Sequence, residues 1–507
     1  MTAFVLVSGP FTGGWIWRRT AARLRREGAE VHAVTLTGLG DRRHLAGPGT
    51  DLETHIEDVL QVIEHADAHE VVLVGHDYGI HPVLGAADRR PDRIARVVYL
   101  DAGMPSNGDA ALALVPLQGV RDGLSERHRE RTPGEVDTRL PAPSPDEWHL
   151  WGSTDGLAPE ALAAMTRAAA PHPEGTFGQP LVLSGAVDEL PATGVLCTSS
   201  GTDIALLESL ASLGDARLGA LVERRVTLFE LTTGHWPMVS APDELATVLM
   251  GAASGQGHVM SAATATNEEP THRRPFLLDA PPCPRERIGT VDLHLPGGDS
   301  PRPAVVFLHG GPVPSDARPT PRDWPGLVGH ARLAASLGAV GVTVDHRLHG
   351  LEDFERAAAD VVAAVERVRA HPRVDGERVA LWFFSGGGLL TTDWLAAPPE
   401  WLRCLAASYP VLAPLPNWGL GDSRFRPADA VGAAGRLPIV LTRVELEHKA
   451  IATTVARFLS AAEAAGADVE VVDVPLGHHG FDTIDHTEEA RAAVRGAMCS
   501  VLRHLAG

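Results

Sequence analysis

Short apolar runs alternate with amphipathic stretches along the whole chain, and the alternation starts over halfway. A short apolar run bounded by turn residues reads as a buried strand, and a 3.6-residue apolar period reads as a helix packed against it. In the first half, residues 4–7, 31–36, 71–75, 97–100, 194–197 and 226–231 have the strand pattern, and 17–27 and 52–65 the helical one. In the second half, 304–308, 339–344, 379–384, 439–441 and 469–472 read as strands, 288–295 as a half-exposed strand, and 354–370 as an amphipathic helix. Strands that alternate with helices predict the α/β class: here two tandem, mostly parallel sheets, each flanked by helices.

Two stretches break this rhythm. Residues 104–190 are rich in Pro, His, Arg and Trp and predict a cap over a pocket. Residues 252–274 are small and polar without an apolar period, which predicts a linker. The expected domains are therefore 1–251 and 275–507. That division agrees with the length, because 507 residues exceed what one hydrophobic core usually supports.

Composition adds exclusions. An apolar fraction of 44% and a charged fraction of 21% suit a globular chain. The net charge of −20 argues against a nucleic-acid partner, since phosphate binding needs a basic surface. Four scattered cysteines without a CxxC pair suit a reducing compartment. No run of 18 apolar residues predicts a membrane span, and the N-terminus lacks the basic region of a signal peptide. The expectation is a cytoplasmic protein, with the Ala, Arg and Gly content of a GC-rich bacterial genome. Its expected partner is a small-molecule substrate, with a homo-oligomer left open. The 24 histidines form no HExxH or paired Cys/His spacing, and no phosphate or dinucleotide loop stands out, so neither metal nor cofactor is expected.

The second half carries an ordered set of chemical groups. A serine hydroxyl becomes a nucleophile when a base takes its proton. Ser385 follows an apolar strand and precedes Gly386-Gly387-Gly388, as a strained strand-to-helix elbow requires. The residue two before it is Phe383, where Gly is usual. His309-Gly310-Gly311 after an earlier strand suits an oxyanion loop, with Gly310, Gly311 and Gly386 as backbone donors. His479 is the candidate base, ahead of its neighbour His478, and Glu445 and Glu447 follow the strand that should carry the orienting acid. The segments PAVVFLHGGP, DHRLH, VALWFFSGGG, LTRVELEH and GHHGFD resemble α/β hydrolases of the dienelactone hydrolase and carboxylesterase type. The resemblance covers about 285–500, implies ester, lactone or similar acyl chemistry, and selects Glu447 as the acid.

The first half shows the same plan with a changed nucleophile. Its segments FVLVSGPFTGGWIWRR, TLTGLGDR, VVLVGHDYG, VVYLDAGMP and TTGHWPM resemble small-capped α/β hydrolases of the methylesterase and hydroxynitrile-lyase type, over about 1–250. Such proteins carry His-Gly where this chain has Ser8-Gly9, and Ser where it has Asp77. An aspartate at the elbow resembles epoxide hydrolases and haloalkane dehalogenases. It implies attack on an sp³ carbon to give an ester, then water activated by His235. Asp101 is the favoured orienter of His235 and Asp203 the alternative, and Tyr78 joins the expected oxyanion or substrate contacts. The cap lacks the paired tyrosines that such epoxide hydrolases use, and offers His128, His149, His172, Trp148 and Trp151 instead. A non-catalytic, binding or scaffold role for one half is the remaining reading.

Overall fold

The computed structural model describes residues 2–115, 118–130, 139–212, 221–222, 224–260, 271–415, 418 and 423–506. The side chain of His128 and residues 261–270 of the expected linker lie outside the described set. The described residues fall mainly into two compact units, 2–208 with 221–260, and 271–415 with 423–506.

The first unit is built on seven strands: β1 Ala3–Val7, β2 Glu30–Val34, β3 Val71–His76, β4 Ile94–Leu100, β5 Ala192–Cys197, β6 Thr227–Leu231 and β7 His258–Val259. Their order in the sheet is β2-β1-β3-β4-β5-β6-β7. All neighbours pair in parallel except β7, which runs antiparallel to β6. The chain leaves β1 toward β2 and then returns to the other side of β1 as β3. In open parallel sheets such a reversal opens a crevice at the carboxyl ends of the strands, where ligands bind. The two loops at this crevice start at Ser8 and Asp77. β1 and the first four residues of β3 are buried on both faces, which is why they read as unbroken apolar runs.

The second unit repeats the device with eight strands: β8 Arg285–Ile288, β9 Val291–His294, β10 Arg302–Leu308, β11 Val340–Val344, β12 Val374–Phe384, β13 Leu402–Ser408, β14 Ile439–Val444 and β15 Val469–Val474. The order is β8-β9-β11-β10-β12-β13-β14-β15. Here β10 lies between β11 and β12, in parallel with both, so the crevice falls between the loops that start at His309 and Ser385. Phe307, Trp382 and Phe384 on β10 and β12 form the buried aromatic centre of this core.

Two expectations change. Residues 288–295 are not one strand but the turn and second arm of the antiparallel hairpin β8–β9, because Gly289 takes φ +60° and reverses the chain. Residues 252–259 are not free linker: the helix Pro242–Ala253 runs into them, and His258–Val259 extends the first sheet. The cap stretch contains the short helices Trp148–Trp151, Pro159–Ala168 and Gly175–Gly178, and a two-strand ribbon pairing Arg139–Leu140 with His172–Pro173. No helix among the described residues is long and apolar enough to cross a membrane.

Candidate functional site

Both elbows have the same backbone signature. Asp77 ends β3 at φ +50° and Ser385 ends β12 at φ +50°. A non-glycine residue held there costs on the order of 1–3 kcal/mol, and the surrounding packing must enforce it. Small neighbours make the turn feasible. A Cβ at Gly386 would lie 2.4 Å from the Gly311 carbonyl oxygen, and one at Gly387 2.5 Å from that of His309. The elbows differ two residues earlier. Gly75 is required in the first, because a Cβ there would meet Ile80 Cα at 2.6 Å, whereas Phe383 is fully buried in the second. The second elbow continues as a long 3-10 helix, Ser385–Thr391, and the first as three residues, Asp77–Gly79, before an α-helix.

In the second unit Ser385 Oγ lies 2.7 Å from His479 Nε2, and His479 Nδ1 lies 2.8 Å from Glu447 Oε2. The His479 and Glu447 side chains are 6% and 5% exposed, so their charges face little competition from water. Glu447 Oε1 accepts the His448 backbone N–H at 2.9 Å, which fixes the carboxylate plane. Glu445 instead accepts the Leu476 N–H, and His478 pairs with Asp485, so neither stands at the hydroxyl.

The oxyanion loop is braced from behind. His309 stacks on His346 at 3.6 Å, and burial holds both imidazoles below their ordinary range, so they stay neutral. His309 Nδ1 donates to the Gly310 carbonyl at 2.5 Å. A trans peptide sets its N–H opposite its C=O, so this bond turns the Gly311 N–H away from the His309 ring. A Cβ on Gly310 would lie 3.4 Å from Ser385 Oγ, which puts the Gly310 backbone beside the nucleophile. A cavity of about 140 Å³ opens at the hydroxyl, lined by Trp324, Leu327, Phe384 and Tyr409 among others.

Tyr409 was not foreseen. It follows β13 at φ +37°, its ring meets His479 edge-on at 4.9 Å, and its hydroxyl donates to Asp482 Oδ1 at 2.9 Å. Asp482 Oδ2 accepts from His330 at 2.9 Å, so a buried carboxylate holds the ring that walls the base.

In the first unit His235 stands between two carboxylates. Its Nε2 is 3.2 Å from Asp77 Oδ2 and its Nδ1 is 2.7 Å from Asp101 Oδ2. Asp101 also accepts the Cys197 N–H and the Ser200 hydroxyl. Asp203 caps the helix Ile204–Ser212 through the Leu206 N–H, so Asp101 and not Asp203 meets His235. Burial disfavours charge on His235, but hydrogen bonds and attraction from Asp101 and Asp77 outweigh it and raise its pKa to about 10.

The Tyr78 side chain packs into the core. The ring is fully buried, its hydroxyl lies 2.8 Å from His55 Nδ1, and His172 and Phe177 enclose it. Only its backbone N–H is left for an oxyanion role. Among the cap residues, His149 is exposed and Trp148 Nε1 donates to Thr166. Gly152 packs on the base: a Cβ there would lie 2.5 Å from His235 Cβ. His76, also unforeseen, is a strut whose Nε2–H donates to the His235 carbonyl at 2.7 Å while Nδ1 accepts the Gly9 N–H at 3.2 Å. Burial, with the nearby His235 charge, pushes His76 down to about 4, so it holds that neutral tautomer. The signal for His76 lay in the Gly-His-Asp triplet before the elbow. Tyr409, like Asp101, closes a central strand. Among the described residues no group of three or more His, Cys, Asp or Glu is arranged to hold a metal ion.

Residues 4–248 match the Alpha/beta hydrolase family. A carbendazim-hydrolyzing esterase of Nocardioides sp. (strain SG-4G) is 34% identical over 246 residues, which are 48% of this chain and 97% of that protein. Methylesterase 10 of Arabidopsis thaliana is 33% identical over 114 residues, 22% of this chain and 41% of its own length. A solved Arabidopsis methylesterase aligns over 50% of this chain and 100% of its own at 22% identity, with a TM-score of 0.37.

Proposed function

Since the chain belongs to the alpha/beta hydrolase family and is a hydrolytic enzyme, we propose that it cleaves an ester or related acyl bond at Ser385. The observation that carries this reading is the 2.7 Å contact between Ser385 Oγ and His479 Nε2. His479 takes the hydroxyl proton as Ser385 attacks the acyl carbon, and Glu447 keeps the imidazole in the tautomer that points a lone pair at the hydroxyl. The backbone N–H groups of Gly310, Gly311 and Gly386 are the donors for the charge that develops on the acyl oxygen in this reading, which the closeness of Gly310 to Ser385 supports. Water then attacks the acyl-enzyme with His479 as base. The Trp324, Leu327, Phe384 and Tyr409 lining favours a substrate with an apolar group beside the scissile bond.

The esterase relatives align with the other half, which carries Asp77 in place of a hydroxyl nucleophile. The Asp77–His235–Asp101 contacts favour a second reading there: Asp77 attacks an epoxide or alkyl halide carbon, with a natural-product intermediate as the substrate class in view. A non-catalytic binding role is the competing reading for this unit. One panel tests both units: p-nitrophenyl esters and styrene-oxide-type epoxides assayed on Ser385→Ala and Asp77→Ala. Ester cleavage lost only with Ser385→Ala and epoxide consumption lost only with Asp77→Ala are expected. Ester cleavage that survives Ser385→Ala overturns the first reading, and epoxide consumption that survives Asp77→Ala overturns the second.

A further inference from the structure

We propose that the N-terminal unit captures its electrophile as a long-lived ester on Asp77 and releases it slowly, a proposal that rests on the Asp77 reading above. The reason is a missing oxyanion donor. An elbow hydrolase draws one donor from the N–H after the nucleophile and another from the loop after the neighbouring strand. Here that loop is Ser8-Gly9-Pro10-Phe11, and its backbone donors are used or absent. Gly9 approaches Asp77 directly, since a Cβ on it would lie 3.0 Å from Asp77 Cβ. Its N–H, however, is held by His76 Nδ1 at 3.2 Å. Pro10 has no N–H. The Phe11 N–H points to His172 Nδ1 at 3.5 Å. His172 Nε2 lies 2.8 Å from Thr176 Oγ1, whose own proton goes to the Pro173 carbonyl, so Nδ1 is the acceptor nitrogen. Aligned on the second unit, where the loop reads His309-Gly310-Gly311-Pro312, Pro10 stands at the place of Gly311.

The two chemical steps respond differently to this loss. In the first, a lone pair of Asp77 Oδ forms a bond to an epoxide carbon. The ring C–O bond breaks, its electron pair stays on the ring oxygen, and that oxygen takes a proton from water. No tetrahedral oxyanion arises on the enzyme, so capture needs no oxyanion hole. In the second, His235 takes a proton from water as the water oxygen adds to the Asp77 ester carbonyl, and negative charge collects on the carbonyl oxygen. Collapse breaks the bond from that carbon to the alkyl oxygen, which takes the proton back and leaves as the diol. The freed carboxyl loses its proton to solvent. Only the Tyr78 N–H side of the elbow remains to meet the charge on the carbonyl oxygen. Losing one such donor slows a step roughly 100- to 1,000-fold. The intermediate therefore accumulates.

The experiment is a pulse and chase on the full chain. Protein is treated with a styrene-oxide-type epoxide, freed of reagent, and followed by intact mass with peptide mapping. Mapping is needed because Cys499 is exposed and also alkylates. The expected result is a mass gain of one whole epoxide on the peptide carrying Asp77, absent in Asp77→Asn, and decaying over hours. Pro10→Ala, which supplies an N–H at the vacant place, should shorten that lifetime by about 100-fold. An adduct on Asp77 that vanishes within seconds in the wild type overturns slow release while leaving the nucleophile intact. No adduct and no epoxide consumption overturn the Asp77 reading itself. If Pro10→Ala fails to fold, the wild-type decay still decides.

Discussion

Replacing Glu447 with Gln should disable ester cleavage without disturbing the fold, and the reason can be traced atom by atom. Glu447 accepts two hydrogen bonds, from the His448 N–H at 2.9 Å on Oε1 and from His479 Nδ1 at 2.8 Å on Oε2. A glutamine of the same shape has one acceptor and one donor end. The His448 N–H demands the acceptor, so the amide NH₂ must face His479 Nδ1. That nitrogen then has to accept, which moves the imidazole proton to Nε2 and aims it at Ser385 Oγ. The lone pair that should deprotonate the serine is gone, and the stabilising charge on the imidazolium with it. The equivalent change in other serine triads lowers kcat by roughly 10⁴-fold, or about 5.5 kcal/mol of barrier. The assay is p-nitrophenyl ester hydrolysis, with Ser385→Ala as the background and circular dichroism as the fold control. A Glu447→Gln protein that retains activity within tenfold of wild type would refute the reasoning.

Other perturbations separate the two units. Gly310→Ala puts a Cβ 2.8 Å from Ser385 Cβ, so kcat/KM for esters should fall about 100-fold through misplacement, while thermal melting shifts little; unchanged kinetics would contradict the oxyanion-loop packing. Gly152→Ala drives a methyl into His235 at 2.5 Å and should lengthen the life of the Asp77 adduct, read by intact mass, while ester cleavage at Ser385 persists; release at the wild-type rate would contradict the role of His235 in activating water. The raised His235 pKa, about 10 against an ordinary 6.5, makes a sign prediction: the stabilisation is complete below pH 6.5 and is lost as pH rises toward 10. Melting temperature measured across that window should decline in the wild type and decline less in Asp101→Asn; parallel curves would contradict the ion-pair account.

Much of both sites was legible because elbow chemistry leaves local marks. Ser385 and Asp77 each end an apolar strand and precede a glycine-bearing turn, and the strand periodicity set both sheets. What stayed hidden depends on contacts between distant segments. Nothing near residue 76 says that its imidazole ties the Gly9 N–H to the His235 carbonyl, 159 residues on. Asp482 and His330, 152 residues apart, meet only because their elements flank the same strand ends. The hairpin β8–β9 was read as one strand because Gly289 gives no apolar interruption long enough to register as a turn. The residue after a nucleophile contributes through its N–H, so the elbow motif says nothing of the Tyr78 side chain, which packs into the core.

Covalent labelling with a fluorophosphonate, followed by peptide mapping, bears most directly on the nucleophile of the second unit. The account predicts one label per chain on Ser385, lost in Ser385→Ala and strongly slowed in His479→Ala. Wild-type protein that takes up no label, or a Ser385→Ala protein that labels as fast as wild type, would contradict it.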